Sequence, residues 1–272
     1  MKSAEQLAQG IWEAYARRET IAPPSERAPG FDLAAAYAVE AELARMRRQA
    51  GHRVVGRKVG YANRALWRVF RLNTVAWAHM YDDTVHDAPD GTASLRVGGM
   101  RAPKIEPEIV FKLKHVPRCD PGDAAAVLGA VEWLAAGFEI VDCVFPGWKF
   151  TPPDFVACFG LHAGLVVGPP LPVGTATIPA LAEQLATLTV RLFRNGELRA
   201  EGSGRNVLGN PAFALGALAG GIARQAGAEP LAAGELIASG ALTDNQFIAA
   251  GETWTAVIDG LAVADLTLHT TP

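Results

Sequence analysis

Cysteine is scarce in this 272-residue chain: Cys119, Cys143 and Cys158 are the only three, and none has C-x-x-C spacing. An odd, scattered set argues against a disulfide framework or a thiolate zinc site and for a reducing compartment. Excess positive charge is missing too. A net charge of −3 gives no electrostatic footing for nucleic acid or an anionic membrane surface. No uninterrupted apolar run approaches the length that spans a bilayer. The opening Met1-Lys2-Ser3-Ala4-Glu5-Gln6-Leu7 lacks the basic n-region and apolar core of a signal peptide. A cytoplasmic protein is expected. Neither G-x-S-x-G nor H-E-x-x-H occurs, so serine-hydrolase and zinc-protease templates have no foothold. Gly202-Ser203-Gly204 lacks a Gly-Lys-Ser/Thr and a β-α-β context, and reads as a turn before a helix.

What is present is an ordinary globular composition, half hydrophobic and 19% charged, long enough to bury a full core. The first sixty residues read as helical. Ser3 and Gln6 form a capping box ahead of an apolar stripe of Leu7, Ile11, Trp12 and Tyr15. A loop with Pro23, Pro24, Pro29 and Gly30 follows, and Asp32 caps a second helix ending at Gly51. From Arg53 to Gly60 the pattern turns strand-like, and short β-runs dominate the remainder. Two helices interrupt them, one from about Asp123 to Ala136 and one from Asn210-Pro211 to near Ala226. Asn195-Gly196 and Asp259-Gly260 are hairpin signals. Strands do not alternate regularly with helices, which argues against a doubly wound sheet. The expected division is a mainly helical part over residues 1–80 and a β-rich part over 81–272.

Three carboxylates stand out. Glu106 and Glu108 lie two apart in the strand-like run from Ile105 to Phe111, so they share one face. Glu139 interrupts the apolar Gly137-Phe138-Glu139-Ile140-Val141. Such acids are costly to bury without a cation, and an all-oxygen donor set suits Mg²⁺ or Mn²⁺ rather than Zn²⁺. A solvated strand face with an ion pair at Glu139 is the plain alternative. Lys58, between Gly56 and Gly60, is either a cleft acid/base group or a solvent-facing lysine. Asp82 and Asp83 are acid/base candidates or turn residues. His162 is either a proton carrier or a buried histidine bonded to backbone.

With these residues the chain resembles the fumarylacetoacetate hydrolase superfamily, and within it the branch of 2-keto-4-pentenoate hydratases and 4-oxalocrotonate decarboxylases. The likeness runs through Gly56–Gly60, Ile105–Phe111, Gly137–Asp142, Trp148-Lys149, Gly209-Asn210-Pro211 and Gly240-Ala241-Leu242-Thr243. The resemblance implies an α+β fold, a β-rich roll of mixed sheets with an N-terminal helical subdomain, and a homo-oligomer. It implies that Glu106, Glu108 and Glu139 bind Mg²⁺ or Mn²⁺, that Lys58 and Asp82, with His162 a further candidate, move protons, and that Phe159, Leu161 and Thr243 face the substrate. The substrate implied is a 2-oxo acid or 2-hydroxydienoate and the reaction a hydration. Decarboxylation, carbon–carbon hydrolysis and a non-catalytic partner subunit are the alternatives. Three positions depart from the branch. Cys158-Phe159-Gly160-Leu161-His162 replaces a polar Asp-Asn-Ala-Ser-Ser stretch, Val144 an arginine, and Ala241 a serine.

Overall fold

The computed structural model describes residues 3–272. Ser3 Oγ accepts from the Gln6 amide and Gln6 Oε1 from the Ser3 amide, opening α1 (Ala4–Arg17) with a complete capping box. The proline-bearing loop holds the one-turn α2 (Pro24–Arg27), and Asp32 accepts from the Ala35 amide to cap α3 (Leu33–Gln49). Ile11 and Leu43 of this layer bury with Phe145, Phe155 and Val156 in a core of their own.

Next come β1 (Val54–Gly60), α4 (Arg64–Phe70), β2 (Ala76–Tyr81), β3 (Val85–Asp87), β4 (Thr92–Arg96), β5 (Pro103–Leu113), α5 (Ala124–Leu128) and β6 (Val131–Asp142). The chain continues through α6 (Pro152–Ala157), β7 (His162–Val167), β8 (Leu171–Pro172), α7 (Ile178–Thr187), β9 (Thr189–Arg194), β10 (Glu197–Ser203) and α8 (Pro211–Arg224). It closes with β11 (Leu236–Ala238), β12 (Gln246–Phe247), β13 (Thr253–Asp259) and β14 (Leu266–Thr271). Nine strands form one sheet in the order β2-β1-β11-β5-β6-β7-β3, with β12 beside β5 and β8 beside β6. Five form a second, β10-β9-β13-β14-β4. Three pairs, β1/β11, β3/β7 and β4/β14, are parallel and the rest antiparallel. Phe111, Leu134 and Phe138 of the large sheet share the main core with Leu192, Trp254 and Leu268 of the small one. This is the expected α+β, mixed-sheet roll.

The local expectations meet the structure in three places. Asp123 caps a helix, but α5 stops at Leu128, and residues 131–142 form β6 instead. Ala135 and Ala136 lie opposite Val110 and Ile109 of β5. Pairing along this long, buried neighbour overrides the helix preference of alanine. Second, the helical layer ends at Gln49; residues 54–60 form the expected strand, and residues 76–81, grouped with the helical part by sequence, are also a strand of the large sheet. β1 pairs with β11, some 180 residues away in sequence, a partner no local pattern encodes. Third, the run Gly204–Arg224 is long and apolar enough to span a bilayer by length and composition. Left-handed Leu208 (φ 53°) and Gly209 (φ 95°) break it. The regular helix α8 has 14 residues and rises only about 21 Å. Its apolarity is explained by burial, with 61% of the window inside the core.

Glu40 of α3 ties the helical layer to the large sheet. It accepts from the His79 amide at 3.0 Å and meets His79 Nδ1 at 2.5 Å, with both side chains buried. Burial pulls the imidazole pKa down, but the Glu40 charge and the contacts to the Glu229 and Glu40 carboxylates outweigh it, so the group sits above its ordinary value. The pair's stabilisation is therefore full below the unfolded pKa of about 6.5 and lost as pH rises through the higher folded value. In urea unfolding, the advantage of the native protein over His79→Gln shrinks as pH rises above about 6.5. An advantage constant over that range would show that the pair is not linked to protonation.

Candidate active site

Glu106 and Glu108 project from one face of β5, and the β5/β6 register sets Glu139 directly across from Glu106. Oxygens of the three carboxylates lie within 4.8 Å of one another. Glu108 and Glu139 are wholly buried. The Gly240 amide donates to Glu108 Oε2 at 2.8 Å, and Asn245 Nδ2 donates to Glu106 Oε1 at 3.1 Å. Glu139 is held from two sides, by Lys58 Nζ at 3.0 Å from Oε2 and by His162 Nδ1 at 2.9 Å from Oε1. Glu108 Oε1 is buried with no hydrogen-bond partner among the described residues.

The electrostatics follow from this crowding. Burial raises the Glu108 pKa well above the usual carboxylate range, and the charges of Glu139 and Glu106 add to it. Burial also raises Glu106, against the pull of Lys58. Glu139 ends below its ordinary value because Lys58 and His162 outweigh its burial. Lys58 ends above its own, since burial is outweighed by Glu139, Glu106 and Glu108. One ammonium thus faces three carboxylates. A buried site with surplus negative charge, only oxygen donors and an orphaned carboxylate oxygen fits a hard divalent cation. His52, Asp82 and Asp83 form a second close acidic cluster, but there Arg53 Nε already reaches Asp82 at 3.1 Å and Arg47 pairs with Asp83. That cluster has no unmet charge.

Lys58 is aimed by the turn that precedes β7. Phe159, Gly160 and Leu161 are all left-handed, with φ of 55°, 58° and 56°. Such backbone costs about 1–2 kcal/mol for each non-glycine residue, a cost that the surrounding packing sustains. The turn presents the Gly160 carbonyl to Lys58 Nζ at 3.0 Å. It turns Leu161 toward Phe155 and sends Phe159 the other way, edge-on to Tyr15 at 5.0 Å. A Cβ on Gly160 would lie 2.7 Å from Lys58 Cδ and 3.0 Å from Ala78 Cβ. Gly160→Ala is therefore expected to cost on the order of 1–3 kcal/mol in stability and to lower kcat by displacing Lys58. Thermal melts and turnover check both, and an unchanged kcat would separate the turn from catalysis.

No family model matches the chain. It is 31% identical over 263 residues, 96% of each chain, to a 2-hydroxyhexa-2,4-dienoate hydratase of Comamonas testosteroni. The chain belongs to the hydratase–decarboxylase branch of the fumarylacetoacetate hydrolase superfamily. A 4-oxalocrotonate decarboxylase of Pseudomonas sp. (strain CF600) is 30% identical over 236 residues, covering 86% of this chain and 84% of that one. Among solved structures, the 4-oxalocrotonate decarboxylase of Pseudomonas putida G7, complexed with magnesium and adipate, superposes with a TM-score of 0.85 at 26% identity, covering 98% and 97% of the two chains.

In this branch member, Lys58, Glu106, Leu161 and Thr243 line one cleft of about 700 Å³, with Glu108 and Glu139 buried beside Glu106. Three expected residues lie elsewhere. Asp82 sits in the turn after β2 and accepts from the Arg53 amide and Nε. The β2 residue in register with Lys58 is Ala78, so this strand brings no carboxylate to the lysine. Phe159 and His162 line a separate cavity of about 410 Å³ across the 159–161 turn. The His162 ring, bonded to Glu139 on one side and to Thr84 Oγ1 at 3.0 Å on the other, positions a carboxylate instead of reaching the cleft. Of the departures from the branch pattern, Val144 is buried in the helical-layer core, while Leu161 and Ala241 line the cleft. The sequence reading missed Tyr61, Phe155, Asn206 and Asn245, which come to the cleft from four separate segments. Asn245, two residues beyond the Gly240–Thr243 segment, was the one with a signal nearby.

Proposed function

We propose that this protein is a divalent-metal-dependent hydratase that adds water to a 2-hydroxy-2,4-dienoate or its 2-oxo-enoate tautomer. Glu106, Glu108 and Glu139 hold the ion, Mg²⁺ or Mn²⁺. The observation that carries the reading is the buried three-carboxylate set with a single lysine at the base of one cleft, in a chain that aligns almost end to end with a dienoate hydratase. When bound, the cation supplies a Lewis acid that stabilises negative charge on the C2 oxygen of the substrate. Lys58, kept protonated by its carboxylate neighbours, donates to the Gly160 carbonyl and pairs ionically with Glu139. Its remaining donor capacity serves the substrate, holding the dienolate and delivering a proton to its carbon skeleton. Thr243 and Asp244, which line the same cleft, hold the incoming water. The protein works as a cytoplasmic homo-oligomer in aromatic catabolism. Val69 and Phe247, 70% and 59% exposed, offer apolar surface for self-association.

A second reading, decarboxylation of a 2-oxo acid, is favoured by Leu161, Val141 and Phe155, an apolar group on the cleft wall with no side chain to hold water. One assay separates the readings. Protein with Mg²⁺ or Mn²⁺ is given 2-hydroxypenta-2,4-dienoate, with absorbance followed, and then 4-oxalocrotonate, with released CO₂ measured. Metal-dependent loss of the dienoate signal without CO₂, abolished by Glu106→Ala, supports the hydratase. CO₂ release establishes the decarboxylase, and bound metal with no turnover of either acid leaves the partner-subunit role.

A further inference from the structure

Building on that reading of the cleft, we infer that the substrate carries an uncharged, apolar tail of aryl or long-alkyl size beyond its reacting carbons, and not a second carboxylate. The cleft has a polar side, with Lys58, Glu106, Asn63, Asn206, Asp244 and Asn245, and an aromatic one. Its apolar walls are Tyr61, Leu66, Phe70, Trp148, Phe150 and Phe155, with the Phe155 ring centre 4.8 Å from Lys58 Nζ. Tyr61 stands edge-on to Phe70 at 5.5 Å and to Phe155 at 5.3 Å, and Trp148 meets Phe150 at 6.3 Å, so the rings form connected surfaces.

Charge excludes the diacid. Lys58 is the sole cation among the lining residues, and it is already committed to Glu139 and to the Gly160 carbonyl. A second carboxylate pushed among these rings would lose its water and meet at most neutral donors such as the Trp148 indole N–H, with no cation in return. The nearby cations are engaged elsewhere: Arg64 over Trp67, and Lys104 between the rings of Trp148 at 3.9 Å and Phe247 at 4.6 Å.

Helix α4 points the same way. None of its residues is buried, and Leu66 and Phe70, both lining the cleft, remain 39% and 38% exposed. Large apolar side chains at a cleft mouth gain their burial from what enters it. Size agrees as well. About 700 Å³ lies in the range of roughly 300–1,000 Å³ that holds drug-sized ligands, and a five-carbon acid leaves most of that space unfilled.

Calorimetric titration of the Mg²⁺-loaded protein tests this without turnover, using 2-oxopentanoate, 2-oxo-6-phenylhexanoate and 2-oxohexanedioate. The phenyl acid is expected to bind at least about ten-fold more tightly than 2-oxopentanoate, and the diacid no more tightly. Leu66→Ser, an exposed change that leaves the core intact, is expected to reduce the ratio between the phenyl acid and 2-oxopentanoate. A phenyl acid no tighter than 2-oxopentanoate, or a diacid that binds best and loses its advantage in Lys104→Met, overturns the tail assignment alone. If Mg²⁺ binds but none of the three acids does, the 2-oxo-acid reading falls, and the tail with it.

Discussion

Glu108→Gln is expected to lower turnover by at least about 10³-fold and Mg²⁺ affinity by at least about 100-fold, while the metal-free protein melts no lower than the wild type. Glu108 is wholly buried, has one oxygen without a partner, and is raised well above the usual carboxylate range by burial and by two neighbouring acids. Each of these features costs folding stability, and glutamine keeps the shape and the acceptor for the Gly240 amide while removing the charge. A residue that is costly to fold and indispensable when the ion is bound is the usual signature of a site kept for function. The measurements are calorimetric Mg²⁺ titration, dienoate turnover and thermal melts in chelator. Turnover within ten-fold of wild type would remove Glu108 from the metal site, and a lower melting temperature in chelator would make its role structural.

Lys58→Met has the opposite signature on the metal. Turnover is expected to fall by on the order of 10²–10⁴-fold, the range for losing a positioned acid or base, while Mg²⁺ affinity stays level or rises. The lysine sits 3.0 Å from Glu139 and competes with a bound cation for that carboxylate. Its methylenes pack against Gly160 and its ammonium lies 4.8 Å from the Phe155 ring centre, so methionine fills much the same space. Turnover and calorimetry on the same preparation decide it. If metal affinity and kcat fall together, Lys58 shapes the metal site; if neither falls, the proton-transfer assignment fails.

Much of the local structure is legible from residue types. Ser3 and Gln6 cap α1 and Asp32 caps α3 because a side-chain oxygen satisfies amides left open at a helix start. Asn195-Gly196 forms the β9/β10 hairpin turn with φ of 51° and 83°, which asparagine and glycine adopt readily. The alternation in β5 places Glu106 and Glu108 side by side for the same reason that any strand repeats every two residues. Asp82 misleads because a carboxylate near a strand end looks the same in sequence whether it turns to a lysine or to Arg53. Phe159 and His162 mislead because three consecutive left-handed residues swing them to the far side of the turn. A left-handed phenylalanine or leucine has no sequence mark.

The sequence by itself determined the chemistry on offer: oxygen donors instead of thiolates, two of them fixed on one strand face, and a lysine between glycines. Tertiary structure alone decided which of these meet. The β5/β6 register sets Glu139 opposite Glu106, the strained 159–161 turn aims Lys58 at Glu139, and distant segments carry Tyr61, Phe155 and Asn245 to the same cleft. Strand period is a property of neighbouring residues, whereas register and long-range pairing are set by burial of the whole sheet, because a one-residue slip would turn every inward side chain to the other face.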